Sequence, residues 1–307
     1  MKRLFYYLGC FLLPFVLVFL VGILLPPTPR AADTSLFTSL KKDSLLKNVP
    51  SRRLILVGGS NLMFSLNSQI LKDSLHLNPV NTGVHALLTL QYMLENTIQY
   101  VQPGDVVVLI PEYEHFFKDY DIGTDELLRT VLDVNKSKIK LLNVAQVYHL
   151  LPLVPRFALT KFKPTEYFGT NTNPPQYRRN TINQYGDETL HWTLKRPYFA
   201  PYKITAEYNP VNVEMIKEFQ RKVEEKKASF IVSFPAYQDS SYDNSAAKVE
   251  MVEAVLKQKF VLAGSAKRYR TVDSLMFDTP YHLVKTGVDR RTEMLVEDLR
   301  ETLNAER

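Results

Sequence analysis

Ser60 stands in Gly58-Gly59-Ser60-Asn61, directly after the apolar run Arg53-Leu-Ile-Leu-Val57 and just before a helical segment. Glycines there let the chain turn tightly and approach a substrate. The helix N-terminus that follows offers unpaired N–H groups and a dipole that favours developing negative charge. By itself such a serine serves a helix cap as well as it serves a nucleophile. The balance shifts near the other end of the chain, in Phe277-Asp278-Thr-Pro-Tyr-His282-Leu283, which precedes Gly287 and a terminal helix. A hydroxyl nucleophile needs a base, and the base needs an orienting carboxylate; one loop can present both His282 and Asp278. The chemistry these three residues suit is formation or cleavage of an ester through an acyl-serine. It needs no cofactor. Glu112, Glu114 and His115 share one loop without an obvious distant partner, so no metal site is expected. His85 and His115 each follow a strand and read first as structural histidines, with substrate contact or a base role as alternatives.

The elements that must position these residues alternate regularly. Arg53–Val57 reads as a buried strand meeting a glycine turn, with a helix over Phe64–Leu75. Pro79-Val-Asn-Thr-Gly83 is a second strand and turn, Ala86–Val101 a helix stopped by Gln102-Pro-Gly104, and Asp105–Ile110 a third, continuously apolar strand. Later come a helix over Val211–Lys227, a strand over Ser229–Phe234, helices over Ala246–Lys259 and Thr286–Leu303, and a weaker strand signal at Arg270–Val272. Strands alternating with helices imply an α/β domain with a mainly parallel sheet covered on both faces. In such sheets ligands bind beyond the carboxyl ends of the strands, which selects the loops holding Ser60, Gly83–His85, Pro111–His115, Pro235–Tyr242 and Phe277–His282.

The first 26 residues differ from the rest. After Lys2 and Arg3, the 22 residues from Leu4 to Leu25 carry no charge, and Pro26, Pro27 and Pro29 follow. At ~1.5 Å per residue such a helix is roughly 33 Å long, which matches a bilayer's ~30 Å hydrocarbon core and exceeds the apolar core of a cleaved signal peptide. The expected organisation is a transmembrane signal anchor at 1–26, a linker at 27–51 and an α/β domain at 52–307. The N-terminal charges favour a cytoplasmic N-terminus and an extracytoplasmic domain, in a single-pass protein of the cytoplasmic (inner) membrane facing the periplasm or its equivalent. The one cysteine, Cys10, lies inside the apolar stretch, so no intrachain disulfide supports the fold. Net charge is +6, but acidic and basic residues are interspersed without like-charge runs, so nucleic acid is not an expected partner.

Between about 118 and 210 the alternation breaks down into a stretch rich in Pro, Asn, Thr and aromatic residues, with one helix candidate at Lys140–Leu151. An insertion of this length in a compact sheet domain is uncommon and usually functional. It reads as a lid or subdomain with its own aromatic core, or as a surface for a glycan or a protein partner. Residues 140–159 suit a membrane surface better than a second span, because Gln146, His149 and two prolines interrupt them.

Taken with its anchor, the chain resembles the SGNH, or GDSL-like, hydrolase superfamily. Gly59-Ser60-Asn61 is similar to the family's serine block with the serine one place early. Asn81-Thr-Gly83 is similar to the second block, and Asp278 with His282-Leu283 and Gly287 to the last. The resemblance covers roughly 52–115 and 229–303. It implies a flavodoxin-like, three-layer α/β/α sandwich with Ser60, His282 and Asp278 as catalytic residues. Membrane-anchored relatives, the D-alanine transfer and alginate O-acetylation proteins, imply an envelope polysaccharide or other acylated polymer as substrate and a membrane-bound O-acyltransferase as partner. The family's third block supplies an asparagine to the oxyanion hole, whereas here the position reads Pro111-Glu-Tyr-Glu-His115. That leaves the N–H groups of Ser60 and Gly83, with Asn61 or Tyr113 as substitutes. The family also places two residues between aspartate and histidine where this chain has three. The extra residue beside Pro280 either bulges the loop or removes Asp278 from the orienting role. An inactive, glycan-binding or partner-binding relative is the competing expectation.

Overall fold

In the computed structural model, which describes residues 1–118 and 122–305, the run after Arg53 forms β1 (Arg53–Gly58). It pairs in parallel on one side with β2 (Asn78–Asn81) and on the other with β3 (Val106–Ile110). β4 (Ser229–Ser233) continues the sheet; beyond the short β5 (Tyr237–Gln238), β6 (Leu262–Ala263) closes its edge. The order β2-β1-β3-β4-β6 is the doubly wound one, and its direction reverses between β1 and β3. The Arg270 strand is β7 (Arg270–Thr271), which pairs with β5 in a separate two-stranded piece.

Every residue of β1 and β3 is buried, as expected of a parallel sheet covered on both faces. Alternate residues serve opposite layers. Leu54, Leu56, Val108 and Ile110 pack under α4 (Ser60–Ser65), α5 (Ser68–Leu75) and α12 (Lys285–Ala305). Ile55, Val57, Val107 and Leu109 face α6 (Leu90–Ile98), α10 (Val211–Glu225) and α11 (Asp239–Lys257). The result is a three-layer α/β sandwich. Preceding it in the chain are α1 (Lys2–Leu24), long and apolar enough to cross a membrane, then α2 (Pro29–Ala32) and α3 (Thr38–Asn48). Segment 27–51 is docked on the body rather than extended: Leu36 and Leu46 join the main core, and the Lys42 ammonium is buried against the carbonyls of Gly83 and Gly186.

Two predicted helices are interrupted, each for a local reason. The Phe64–Leu75 segment breaks between α4 and α5, where Leu66 is extended and the Asn67 side chain accepts from the Gln69 N–H to start a new helix. The Ala86–Val101 segment begins as a single 3-10 turn, and α6 starts only after Thr89, whose φ is +69° and whose hydroxyl accepts from the Tyr92 N–H. α11 begins seven residues earlier than its apolar pattern indicates, at Asp239 rather than Ala246.

Of the 118–210 insertion, residues 119–121 lie outside the described residues. The remainder includes α7 (Asp125–Arg129), α8 (Val144–Leu150) and α9 (Val154–Thr160). Its aromatic residues do not gather into a core of their own among the described residues. Phe157 joins the main core, Tyr177 packs on Phe64 with ring centroids 5.2 Å apart, and Trp192 and Phe199 lie against Ala236, Met276 and Leu283. The part from Tyr177 to Phe199 therefore lies against the end of β2 and the residues that follow β1 and β4, while α9 packs on α1.

Arg53 shows how the start of β1 is fixed. Its guanidinium is fully buried, pairs with Asp105 through Nε at 3.0 Å, and also donates to the carbonyls of Leu46 and Tyr100. Removing one partner of a buried pair leaves an uncompensated charge. Arg53→Ala is therefore expected to lower stability by about 3–5 kcal/mol, read from the denaturant midpoint of the detergent-solubilised chain.

Candidate active site

Ser60 is the first residue of α4, held at the end of β1 by a turn with little free space. A Cβ on Gly83 would lie 2.3 Å from the Gly59 carbonyl oxygen, so the β2 loop reaches the serine turn only because residue 83 has no side chain. This crevice lies where the strand order reverses, between the ends of β1 and β3.

The C-terminal loop brings its histidine onto the serine. His282 Nε2 is 3.0 Å from Ser60 Oγ, and His282 Nδ1 is 2.8 Å from Asp278 Oδ1. The three intervening residues are accommodated by a bulge in which Thr279 Oγ1 accepts from the N–H groups of Tyr281 and His282. The imidazole is stacked on Phe64, with centroids 4.3 Å apart and planes 12° apart, so its orientation is fixed by packing as well as by hydrogen bonds. Burial alone would raise the Asp278 pKa, but bonds from His282, Tyr177 and Gln176 outweigh it and hold the carboxyl below its ordinary range. The Tyr177 hydroxyl donates to Asp278 Oδ2 at 2.7 Å.

The three other residues singled out in the sequence are placed differently. The Gly83 N–H donates to Asn81 Oδ1 at 3.1 Å, so it is not free. The Asn61 side chain turns back to donate to the Ile110 carbonyl at 3.0 Å, and its backbone N–H donates to Glu112 Oε1 at 3.1 Å. Tyr113 is buried in the core, its ring edge-on to Tyr237 at 5.1 Å. None of the three offers a free donor beside Ser60: the Gly83 N–H and the Asn61 amide donate to Asn81 and Ile110, and the Tyr113 hydroxyl, without a hydrogen-bond partner among the described residues, lies in the packed interior.

Glu112 takes the place where an asparagine was missing. Its Oε1 is 3.4 Å from Ser60 Oγ, and a Cβ on Gly59 would lie 2.7 Å from the same oxygen. Complete burial, reinforced by the neighbouring Glu114 carboxyl, pushes its pKa up to about 8 despite bonds from Asn61 and Ser60. At neutral pH this is a mostly protonated acid, able to donate a hydrogen bond. His115, by contrast, is a neutral core histidine. Burial pushes it down to about 4, its Nδ1 accepts from the Glu112 N–H at 3.1 Å, and its Nε2 faces the Ala86 carbonyl at 3.0 Å.

A cavity of about 360 Å³ is lined among others by Arg30, His85, Glu126, Arg129 and Tyr177, and its link to the serine–histidine pair is Tyr177. Tyr177 is the shared wall, because its hydroxyl also lies 3.4 Å from His282 Nδ1. Burial and the nearby His282 lower the His85 pKa against the opposing pull of Glu126, so His85 contributes a neutral ring to this wall. No cluster of three or more metal-ligating side chains occurs among the described residues.

No family model matches the chain, and no curated protein matches it. Among solved structures it is similar to the Bacillus subtilis protein YxiM, with a TM-score of 0.38 and 14% identity, over 82% of this chain and 57% of that one. The chain thus spans a little over half of that relative's length, and at such distance the likeness does not bear on chemistry.

Sequence reasoning missed Tyr177 and Gln176, which lie in the aperiodic insertion where no spacing relates them to the C-terminal loop. Glu112 was visible as a departure at a strand end. Its protonation was not, because that depends on burial.

Proposed function

We propose that this chain is a membrane-anchored SGNH-type serine esterase or O-acyltransferase, extracytoplasmic, acting on an acylated envelope glycan or related polymer. The observation that carries the reading is the unbroken hydrogen-bonded series Ser60–His282–Asp278, at 3.0 and 2.8 Å. Ser60 Oγ attacks an acyl carbonyl while His282 Nε2 takes its proton, and the Nδ1 N–H donating to Asp278 stabilises the imidazolium. Collapse of the tetrahedral species expels the leaving oxygen, which receives the proton from His282. Water or a polymer hydroxyl then attacks the acyl-serine, with His282 again as base. The oxyanion is met by the N–H of Ser60 and by the neutral carboxyl of Glu112. An isolated carboxylic acid kept protonated by an apolar setting is an established kind of oxyanion donor.

As an O-acyltransferase it would need an acyl donor outside the cytoplasm, which a membrane-bound O-acyltransferase partner would supply. Retention of α1 as an anchor is supported by its junction with the body. The Pro26 carbonyl accepts from Lys161 at 3.1 Å, and Thr28 and Arg30 both bond into the insertion through Glu166.

The test is labelling of the full chain in detergent with a fluorophosphonate probe. Wild type should react and Ser60→Ala and His282→Ala should not; equal labelling of all three sinks the mechanism. Tyr177→Phe is expected to slow acyl transfer about ten- to a hundredfold, in keeping with ~1.5–3 kcal/mol for a hydrogen bond to a charged group, while KM changes little. The competing reading, a catalytically inactive binder, is favoured by the local bonding of the Gly83 N–H and the Asn61 amide and by the burial of Tyr113 in the core. It predicts that a folded wild type remains unlabelled and that Ser60→Ala preserves the cellular role.

A further inference from the structure

We infer that the 136–168 part of the insertion lies on the bilayer, its apolar side chains in the headgroup boundary of an anionic leaflet at the C-terminal end of α1. This inference rests on α1 being embedded, but not on the catalytic reading.

The first observation is the polarity of α8, which is reversed for a helix on a water-soluble body. Its inner face buries Gln146, bonded to the Thr89 hydroxyl at 2.7 Å, together with Leu150. Its outer face carries Val144, Val147, Tyr148 and Leu151, spaced at i, i+3, i+4 and i+7, with exposures of 87%, 41%, 72% and 59%. Leu159, Phe162, Tyr167 and Phe168 continue the exposed apolar surface, Phe168 at 79%. Exposed apolar side chains in this number within one segment mark an interaction surface.

The second observation states which surface. α9 packs directly on α1, and a Cβ at Gly22 would lie 2.6 Å from the Ala158 carbonyl oxygen. Gly22 is two residues before the end of α1, roughly 3 Å along its axis. The apolar patch that accompanies α9 is therefore fixed at the depth where the spanning helix leaves the hydrocarbon. The third observation is charge: residues 136–163 include six Lys and Arg and no Asp or Glu. Of the six, Lys136, Lys140, Arg156 and Lys163 are exposed. An apolar face rimmed by cations is the composition of a helix lying in an interface with anionic lipid.

The experiment uses the full chain in lipid nanodiscs. Cys10→Ser gives a background without thiols, and single cysteines at Tyr148, Leu151 and Phe168 carry an environment-sensitive fluorophore. Val16→Cys in α1 and Glu225→Cys at the far end of α10 are the references. Doxyl-labelled lipid should quench the labels at 148, 151, 168 and 16 and leave the one at 225 bright. Adding phosphatidylglycerol to phosphatidylcholine discs should deepen quenching at 148, 151 and 168. A quenched label at 16 with bright labels at 148, 151 and 168 assigns the patch to a protein partner and overturns the inference. A bright label at 16 overturns the anchor reading and the inference with it, leaving the serine chemistry untouched. Quenching that is indifferent to phosphatidylglycerol overturns the anionic requirement.

Discussion

Ser60→Ala is expected to lower acyl-ester hydrolysis, measured with p-nitrophenyl acetate, by a factor on the order of 10⁴–10⁶, without changing the fold. The size follows from cooperation: Ser60, His282 and Asp278 act as one unit, so removing the nucleophile also disables its base and the orienting acid. Asp278→Asn should cost on the order of 10⁴, because the amide no longer selects the imidazole tautomer with its proton on Nδ1. His282 should remain in place in either variant, because Phe64 stacks on its ring. A Ser60→Ala protein that retains full hydrolysis excludes Ser60 as nucleophile, whatever the geometry.

Glu112 gives the second large effect, with a pH signature. Glu112→Leu is expected to lose about 10²–10³ in kcat, the usual cost of one oxyanion donor. Glu112→Gln keeps a donor of similar size and should stay within about tenfold of wild type. The discriminating measurement is the alkaline limb of the rate. Below about pH 8 the carboxyl is neutral and donates; above it, the carboxylate repels the oxyanion, so wild-type kcat falls. The glutamine variant should lack that fall. A limb that persists in Glu112→Gln, or a glutamine variant as poor as leucine, removes Glu112 from the oxyanion hole. Stability should respond as well. Between pH 4.5 and about 8 the folded state holds a proton on Glu112 that the unfolded chain has released. Wild-type stability therefore declines as pH rises through that window, and Glu112→Gln should abolish this part of the decline in thermal melts.

The legible parts of the fold were those written in strong local signals. β1, β3 and β4 are continuous apolar runs bounded by glycine, proline or charge, and the α/β alternation follows from them. The edge strand β6 has two residues, too few for any pattern to register. The breaks at Leu66 and Thr89 depend on side-chain caps that compete with helix continuation, which apolar spacing does not report. At the candidate site, Ser60, Asp278 and His282 stood out because each follows a strand or occupies one short loop, and the structure brings them within hydrogen-bonding distance. Gly83, Asn61 and Tyr113 were selected by the same logic of position. The Asn61 amide and the Tyr113 N–H are taken by partners distant in sequence, Ile110 and Tyr281, the Gly83 N–H by nearby Asn81, and the Tyr113 ring is packed on Tyr237.

The loop that holds the acid and the base is a closed clasp. The Phe277 N–H donates to the His282 carbonyl at 2.7 Å, the Val284 N–H donates to the Leu275 carbonyl at 2.9 Å, and Met276 bridges to Leu283. Asp278 and His282 thus travel as one body, while Ser60 belongs to another, rooted in β1 and α4. The two bodies meet through the 3.0 Å contact of His282 with Ser60, the stack of His282 on Phe64 and one long bond, from the Leu283 N–H to the Phe64 carbonyl at 3.4 Å. The Phe64 seat therefore sets the position of the imidazole over Ser60 from the α4 side, as the clasp sets it from the other.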